Sequence, residues 1–331
     1  MRDRAPLHVA AALTTALAIA ACDGKSSDDS AAAWIPTISG EAIQAHVALL
    51  ADDLYEGREA GKRGYVLASR YVATQFRTLG LRPGNGDSYY QEIPFQVARI
   101  VDGSRSLRVA SASGETAYAT FSEFTSSPTL AGEQVSITAP LVFVGYGVNA
   151  PSIERNDYDG VDLEGKIAVV VSGAPESLGS EVRAFYRSGR YHKSIELESR
   201  GAIGVISLQH RQIASDRAAV RGSKKEKYWQ LDEHKQPKFA FPGLQAQAWL
   251  LEAGAHKLFA EAPISFDEMA TSIDDETYES MDLGISATIT HRITERNTTS
   301  DNVLAVLEGS DPLLKDEYVV MSAHLDGVGM G

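Results

Sequence analysis

The stretch EYVVMSAHLDGVGMG, residues 317–331, sets an imidazole and a carboxylate two positions apart, His324 and Asp326, just after the apolar run Tyr318-Val319-Val320-Met321. Such a run predicts a buried strand, and in α/β proteins the polar residues that follow a buried strand are the ones delivered to an active site. If the strand continues, its period of two puts positions 324 and 326 on the same side. A histidine so placed can offer one ring nitrogen to a metal while a carboxylate holds the other. On the residues alone, a buried strand-end histidine satisfied by a backbone carbonyl is the better explanation of the pattern, because one His-x-Asp carries little information.

The remaining candidates disperse. The chain has no His-Glu-x-x-His, no histidine pair at helical spacing and no adjacent Glu-Glu, and His192, His210, His234, His256 and His291 are scattered. His46 lies between Ile43 and Val47 in phase with neither, which predicts a surface histidine. Asp157, Asp159 and Asp162 in NDYDGVDLEG lack the ligand order and terminal glutamate of a calcium loop and read as turn formers.

The elements that must position such a site come from 331 residues with 44% hydrophobic side chains, room for two domains or for one with a large insertion. With 44 acidic against 31 basic residues the formal charge is -13, which argues against nucleic acid as a partner. At the N-terminus Arg2 and Arg4 precede an apolar run from Leu7 to Ala21, which suits a signal-peptide core and is short for the roughly 20 residues of a spanning helix. The run closes in Ile19-Ala20-Ala21-Cys22, which resembles a bacterial lipobox, so 1–21 is expected to be removed and Cys22 to be lipidated. The alternative is an ordinary cleaved signal with a stray cysteine. Residues 22–38 then form a flexible tether, and the protein is expected to be exported and held to a membrane of the cell envelope by its lipid. Asp23 leaves the choice of inner or outer membrane open. Cys22 is the single cysteine, so no disulfide forms within one chain.

Beyond the tether, Ser39 can cap a helix carrying Ile43, Val47, Leu50 and Leu54, and after the glycine-punctuated EGREAGKRG a second helix carries Ala68, Val72, Phe76 and Leu79 on one face. Gly80 and Pro83 stop it. Short strands are predicted in SLRVAS, AYATF, VSITA, LVFVGYG, GKIAVVVSG and GAIGVISLQ, with a helix near Ile195–Arg200. Residues 215–236 read as a solvated charge run, PGLQAQAWLLEAGAHKLF as a helix with Ala248, Leu251 and Leu258 among its apolar positions, and NVLAVLEG and EYVVMSAHLD as two strands joined by a short turn.

Taken in order, AHVALLADDLYEGREAGKRGYVLASRYVATQFRTLGLRPG, YYQEIPF and NVLAVLEGSDPLLKDEYVVMSAHLDGVG resemble the bacterial co-catalytic zinc aminopeptidases of metallopeptidase family M-twenty-eight. PLVFVGYGVNAP, NDYDGVDLEGKIAVVVSG and ELESRGAIGVISL resemble the protease-associated (PA) domain that many of these enzymes carry as an insertion. The resemblance implies an α/β mixed-sheet peptidase domain over 39–125 and 286–331, interrupted by a PA-like α/β insertion over 126–285. It further implies two zinc ions that share a bridging aspartate and a bridging water, with a glutamate as general base. His324 would be the first zinc ligand and Asp326 the residue that orients a ligand, while the other ligands and the base follow the His-x-Asp motif in the family and are expected to be absent from this chain. Relatives often carry a histidine where this chain has Gly327.

The implied reaction is hydrolysis of N-terminal peptide bonds of peptide substrates, with this chain as an N-terminal portion that is itself inactive. Two alternatives stand beside it: a non-catalytic PA-domain lipoprotein that binds peptides or protein partners, and another zinc chemistry on the same scaffold, carboxypeptidase or cyclase.

Overall fold

The computed structural model describes residues 39–188, 190–208 and 213–330. Cys22, the signal segment and His210 lie outside the described residues. The chain divides at Asp52/Asp53 into two units. In the first, α1 (Gly40–Leu50) starts as the sequence dictates: Ser39 is extended and its Oγ accepts from the Ala42 N–H at 3.2 Å.

The second unit starts with a one-turn segment, Asp53–Arg58, and α2 (Arg63–Thr78). Short β1 (Arg82–Pro83) leads to β2 (Tyr90–Ile100), β3 (Ser106–Ser111), β4 (Gly114–Ala117), β5 (Phe124–Ser127) and β6 (Gln134–Phe143). Two-residue strands β7 (Asn149–Ala150) and β8 (Arg155–Asn156) form a small ribbon. Then follow β9 (Ile167–Val171), α3 (Ser180–Ser188), α4 (Arg190–Ser199), β10 (Gly204–Leu208), α5 (Ile213–Ser223), β11 (Lys227–Gln230), β12 (Ala246–Leu250), α6 (Glu252–Phe259), α7 (Phe266–Asp274), β13 (Met281–Val303) and β14 (Ala305–Val306).

Ten of these strands make one mixed sheet, ordered β11-β2-β13-β6-β9-β10-β12-β5, with β3 and β4 joined through β13. Its heart is parallel: β6, β9, β10 and β12 run in the same direction. A parallel strand must be covered on both faces, and IAVVV is apolar at every position for that reason. Ile167, Val169 and Val171 enter one core with Ile206, Leu208, Leu258, Phe259, Met269 and Ile273, whereas Ala168 and Val170 enter another with Val142, Val205, Leu197 and Leu244. Helices therefore cover both faces, the α/β class expected.

β13 is the spine. Over 23 residues it pairs antiparallel with β6, β3 and then β2, with a register shift between Asp282 and Ser286 where Gly284 takes φ +66°. It runs unbroken across the expected insertion boundary at 285/286.

Four expectations are corrected. AQAWL is a strand, not the first half of a helix: Ala246, Ala248 and Leu250 are buried and Gln247 and Trp249 half-buried, a period of two, and only Glu252–Phe259 is helical. Residues 215–236 are not a solvated excursion, since α5 occupies their start and β11 pairs with β2, burying Trp229. AYATF is displaced, because the hairpin partner of β3 is Gly114–Ala117. NVLAVLEG and EYVVMSAHLD do not pair with each other. Asn302 and Val303 end β13, Ala305 and Val306 pair with β1, and Tyr318 to Met321 carry no strand pairing and stand 80–95% exposed. An apolar run becomes a strand only against a partner ladder, and no described residue supplies one here.

On β13, between Ile289 and Ile293, the inward position is taken by His291, fully buried, and neither ring nitrogen has a hydrogen-bond partner among the described residues. Burial, with Arg105 beside it, pushes its pKa down to about 4, so it folds neutral. The unfolded chain takes the proton first, so stability is full above about pH 6.5 and falls as the pH drops towards about 4. Between pH 7.5 and pH 5, wild type is expected to lose about 2 kcal/mol more than His291→Leu in urea unfolding. Equal losses in the two proteins would show that the histidine finds a partner for its charge.

Candidate active-site cleft

The segment Asp53–Lys62 turns back on itself through three consecutive left-handed residues, Glu56 (φ +50°), Gly57 (φ +65°) and Arg58 (φ +52°). That conformation aims two carbonyls at residues 325–329. The Gly327 N–H donates to the Arg58 oxygen at 2.8 Å and the Gly329 N–H to the Gly57 oxygen at 3.0 Å, while Arg58 Nε donates to the Leu325 oxygen at 3.0 Å. The departure at Gly327 acquires a reason: a Cβ there would stand 2.4 Å from the Gly57 oxygen. A side chain at 327 is incompatible with this docking.

The docked segment carries Asp326 to the edge of a cleft of about 440 Å³. Its floor is β2 and the end of β13, with Ile93, Phe95 and Asp301 facing in. Tyr65 of α2 forms one side, its hydroxyl donating to the Asp301 backbone oxygen, and Glu59 forms another. The opposite wall comes from Glu226, just before β11, and Tyr228 on it. Tyr228 packs edge-on to Phe95, ring centroids 6.1 Å apart.

Glu226 fixes that wall. It receives Lys62 Nζ at 2.6 Å and Arg296 through Nη2 at 2.7 Å and Nε at 3.2 Å, and the Tyr228 hydroxyl lies 3.1 Å away. Hydrogen bonds from Arg296, then from Lys62 and Tyr228, hold its pKa at about 2 against the opposing effect of burial. The Tyr228 hydroxyl is also 3.3 Å from Glu59, and burial with the two carboxylates pushes the phenol up, so it stays a donor. Burial and the neighbouring Glu92 raise Asp301. Four carboxylates and no basic side chain line the cleft, so it favours cationic groups beside aromatic ones.

His324 stands at the rim, 80% exposed, with Nδ1 2.9 Å from Asp326 Oδ1 and 3.1 Å from the Asp326 backbone oxygen. The two residues do meet, in a segment that carries no strand pairing, since residues 318–330 have no regular structure. A carboxylate on Nδ1 leaves Nε2 to act as the acceptor, which is how metal-bound imidazoles are oriented.

Among the described residues, the other histidines of this unit do not converge on it. His192 stacks on Phe185 at 3.4 Å, His256 lies against Phe266 at 4.1 Å, His234 is exposed next to Glu233 and His291 is in the core; His46, in the first unit, is exposed. Asp157 and Asp162 hold turns, accepting from the Val148 and Glu164 N–H groups at 2.9 and 3.1 Å. No group of three or more His, Cys, Asp or Glu side chains among the described residues could hold a metal. A catalytic zinc takes about three protein ligands. The described residues gather no such set of ligands around the His324–Asp326 pair.

Sequence reasoning missed Glu59, Lys62, Glu226, Tyr228, Arg296 and Asp301. A signal was present in KEKYWQL, where Tyr228 and Trp229 mark a strand that would carry its charges to a sheet edge.

No family model and no curated protein matches the chain. Among solved structures it is similar to an aminopeptidase from Aneurinibacillus sp. strain AM-1, with 19% identity over 83% of this chain and 49% of that one, at a TM-score of 0.41. It is similar to a zinc aminopeptidase from Bacillus subtilis, with 15% identity over 81% and 46% of the two chains at a TM-score of 0.32. A peptidase M-twenty-eight precursor from Shewanella amazonensis gives 15% identity, 82% and 54% coverage and a TM-score of 0.34. The chain spans about half the length of each.

Proposed function

We propose that this chain is part of an exported zinc-dependent aminopeptidase that hydrolyses N-terminal peptide bonds, with His324 as a zinc ligand and Asp326 as the residue that orients it. The observation that carries the proposal is the His324–Asp326 pair, Nδ1 to Oδ1 2.9 Å, at the rim of an acidic, aromatic-walled cleft of about 440 Å³. An α-ammonium group fits the carboxylate lining, and the ring faces of Tyr65, Phe95 and Tyr228 suit the adjoining side chain. The ordered motifs on either side of the PA-like region support the same reading.

One imidazole does not retain a catalytic zinc, so the 331-residue chain with zinc added is expected to leave a panel of aminoacyl chromogenic substrates intact. The same chain carrying its downstream coding sequence is expected to turn them over in a chelator-sensitive way, and His324→Ala in that longer chain should abolish turnover. Chelator-sensitive turnover by the 331-residue chain would overturn the ligand assignment. Silence in the longer chain would favour a peptide-binding lipoprotein, a reading supported by an adjoining cavity of about 570 Å³ that shares Glu226 and Tyr228 with the cleft and is walled by Tyr191, Phe239, Phe241 and Trp249.

We also propose that Cys22 carries the lipid that anchors the exported protein. Cys22→Ser is expected to shift the mature protein from the membrane fraction to the soluble exported fraction; unchanged membrane fractionation would refute the anchor.

A further inference from the structure

On a chain of formal charge -13, one cavity is basic. It holds about 490 Å³ between the β2–β3 turn, the loop before β5 and the residue after α5, and shares no residue with the cleft. Arg99, Arg105 and Lys224 line it with Phe121 and Thr120, and Asp102 is its one acidic residue.

Arg105 is the unusual member. It is 8% exposed and forms no ion pair with a carboxylate among the described residues. Its Nε donates to the Ser126 oxygen at 3.5 Å and its Nη2 to the Ser223 oxygen at 2.5 Å, and Nη1 makes no hydrogen bond among the described residues. The acid of the cavity, Asp102, bonds to Arg99 instead, at 3.0 Å. His291, buried and neutral near Arg105, supplies no counter-charge. A cation this deeply buried normally has an anion to offset its lost hydration.

Lys224 is exposed and forms no ion pair among the described residues. Its Nζ lies 4.6 Å over the Phe121 ring, and the Arg105 guanidinium lies 5.2 Å from the same ring. Phe121 itself sits at φ +68°, a left-handed conformation that is rare for a bulky residue and that marks ligand clamps. Its N–H donates to the Phe124 oxygen at 2.7 Å, which ties down the backbone of this turn. Two cations are therefore gathered on one ring, and neither forms an ion pair among the described residues.

We infer that this cavity binds a small organic oxyanion, a phosphate or carboxylate group seated between Arg105 and Lys224 with its organic body along Phe121. A guanidinium fork with a free N–H suits either oxyanion, and an ammonium beside it adds charge without fixing geometry. The cavity is larger than inorganic phosphate needs, so the natural ligand carries more than the oxyanion.

Isothermal titration calorimetry of the 331-residue chain with inorganic pyrophosphate and with citrate tests this. One saturable site is expected, with Kd about 1 mM or tighter at low salt and weaker as NaCl is raised. Lys224→Gln should weaken it at least about fivefold, and Lys224→Arg should retain it. Arg99→Gln should weaken it less, since Arg99 is already paired. Arg105→Gln should abolish binding, but Arg105 also ties β5 to the end of α5, so the exposed Lys224 carries the test. Tighter pyrophosphate binding assigns a phosphate ligand and tighter citrate binding a carboxylate, each in support. No saturable heat by about 10 mM, or equal affinity in Lys224→Gln and wild type, would overturn the site.

Discussion

The cleft depends on one carboxylate. Glu226 sits where three parts of the chain meet: Lys62 from the segment before α2, Arg296 from β13 and Tyr228 from its own strand all point hydrogens at it. Each cation is about 40% exposed and the carboxylate 22%, so the cluster is partly desolvated and better insulated from salt than an ordinary surface pair. Two cations on one carboxylate also leave a net positive charge, which offsets the acids around the cavity. Without Glu226, Lys62 and Arg296 would face each other and the β11 wall would lose its link to the floor.

That clamp works because β13 is long. A strand of 23 residues pairs with β6 in the parallel heart of the sheet and, further along, with β2, whose outer neighbour is β11. One continuous ladder thus connects the parallel core of the sheet to the cleft, and the end of β13 inherits the rigidity of a core closed on both faces. Arg296, Ser300 and Asp301 fall near its end, and Ser300 Oγ accepts the Gly61 N–H at 3.1 Å, bringing the left-handed turn 56–58 into place beside them. That turn then captures residues 325–329 through backbone hydrogen bonds. Backbone-to-backbone capture explains how an exposed segment without regular structure can still present Asp326 at a defined place.

Much of the fold was legible because some residues admit only one reading. IAVVV is apolar at every position and GVISL at all but Ser207, which fits strands covered on both faces, and Ser39 marked the start of α1. The failures came where local pattern is degenerate. LQAQAWLLEAGAHKLF is rich in alanine and leucine, so it satisfies a period of two at its start and of 3.6 at its end, and one helix was read over both. Residues 318–321 look like a strand in composition, but composition does not supply a ladder partner. His324 and Asp326 do meet, but their spacing alone carried little information and their assigned roles came from the resemblance of the surrounding motifs. Glu226 was not legible, because a charge in a run of charges becomes informative only when β11 is known to lie against β2, where Trp229 pairs with Gln96, 133 residues earlier in the sequence.

Glu226 couples the β11 wall to β13. A double-mutant cycle with Glu226→Gln and Arg296→Gln, read by urea unfolding at low salt, measures that coupling directly. An interaction free energy of about 1 kcal/mol that shrinks as salt is added is expected. Additive single-mutant effects, within about 0.3 kcal/mol at low salt, would contradict it.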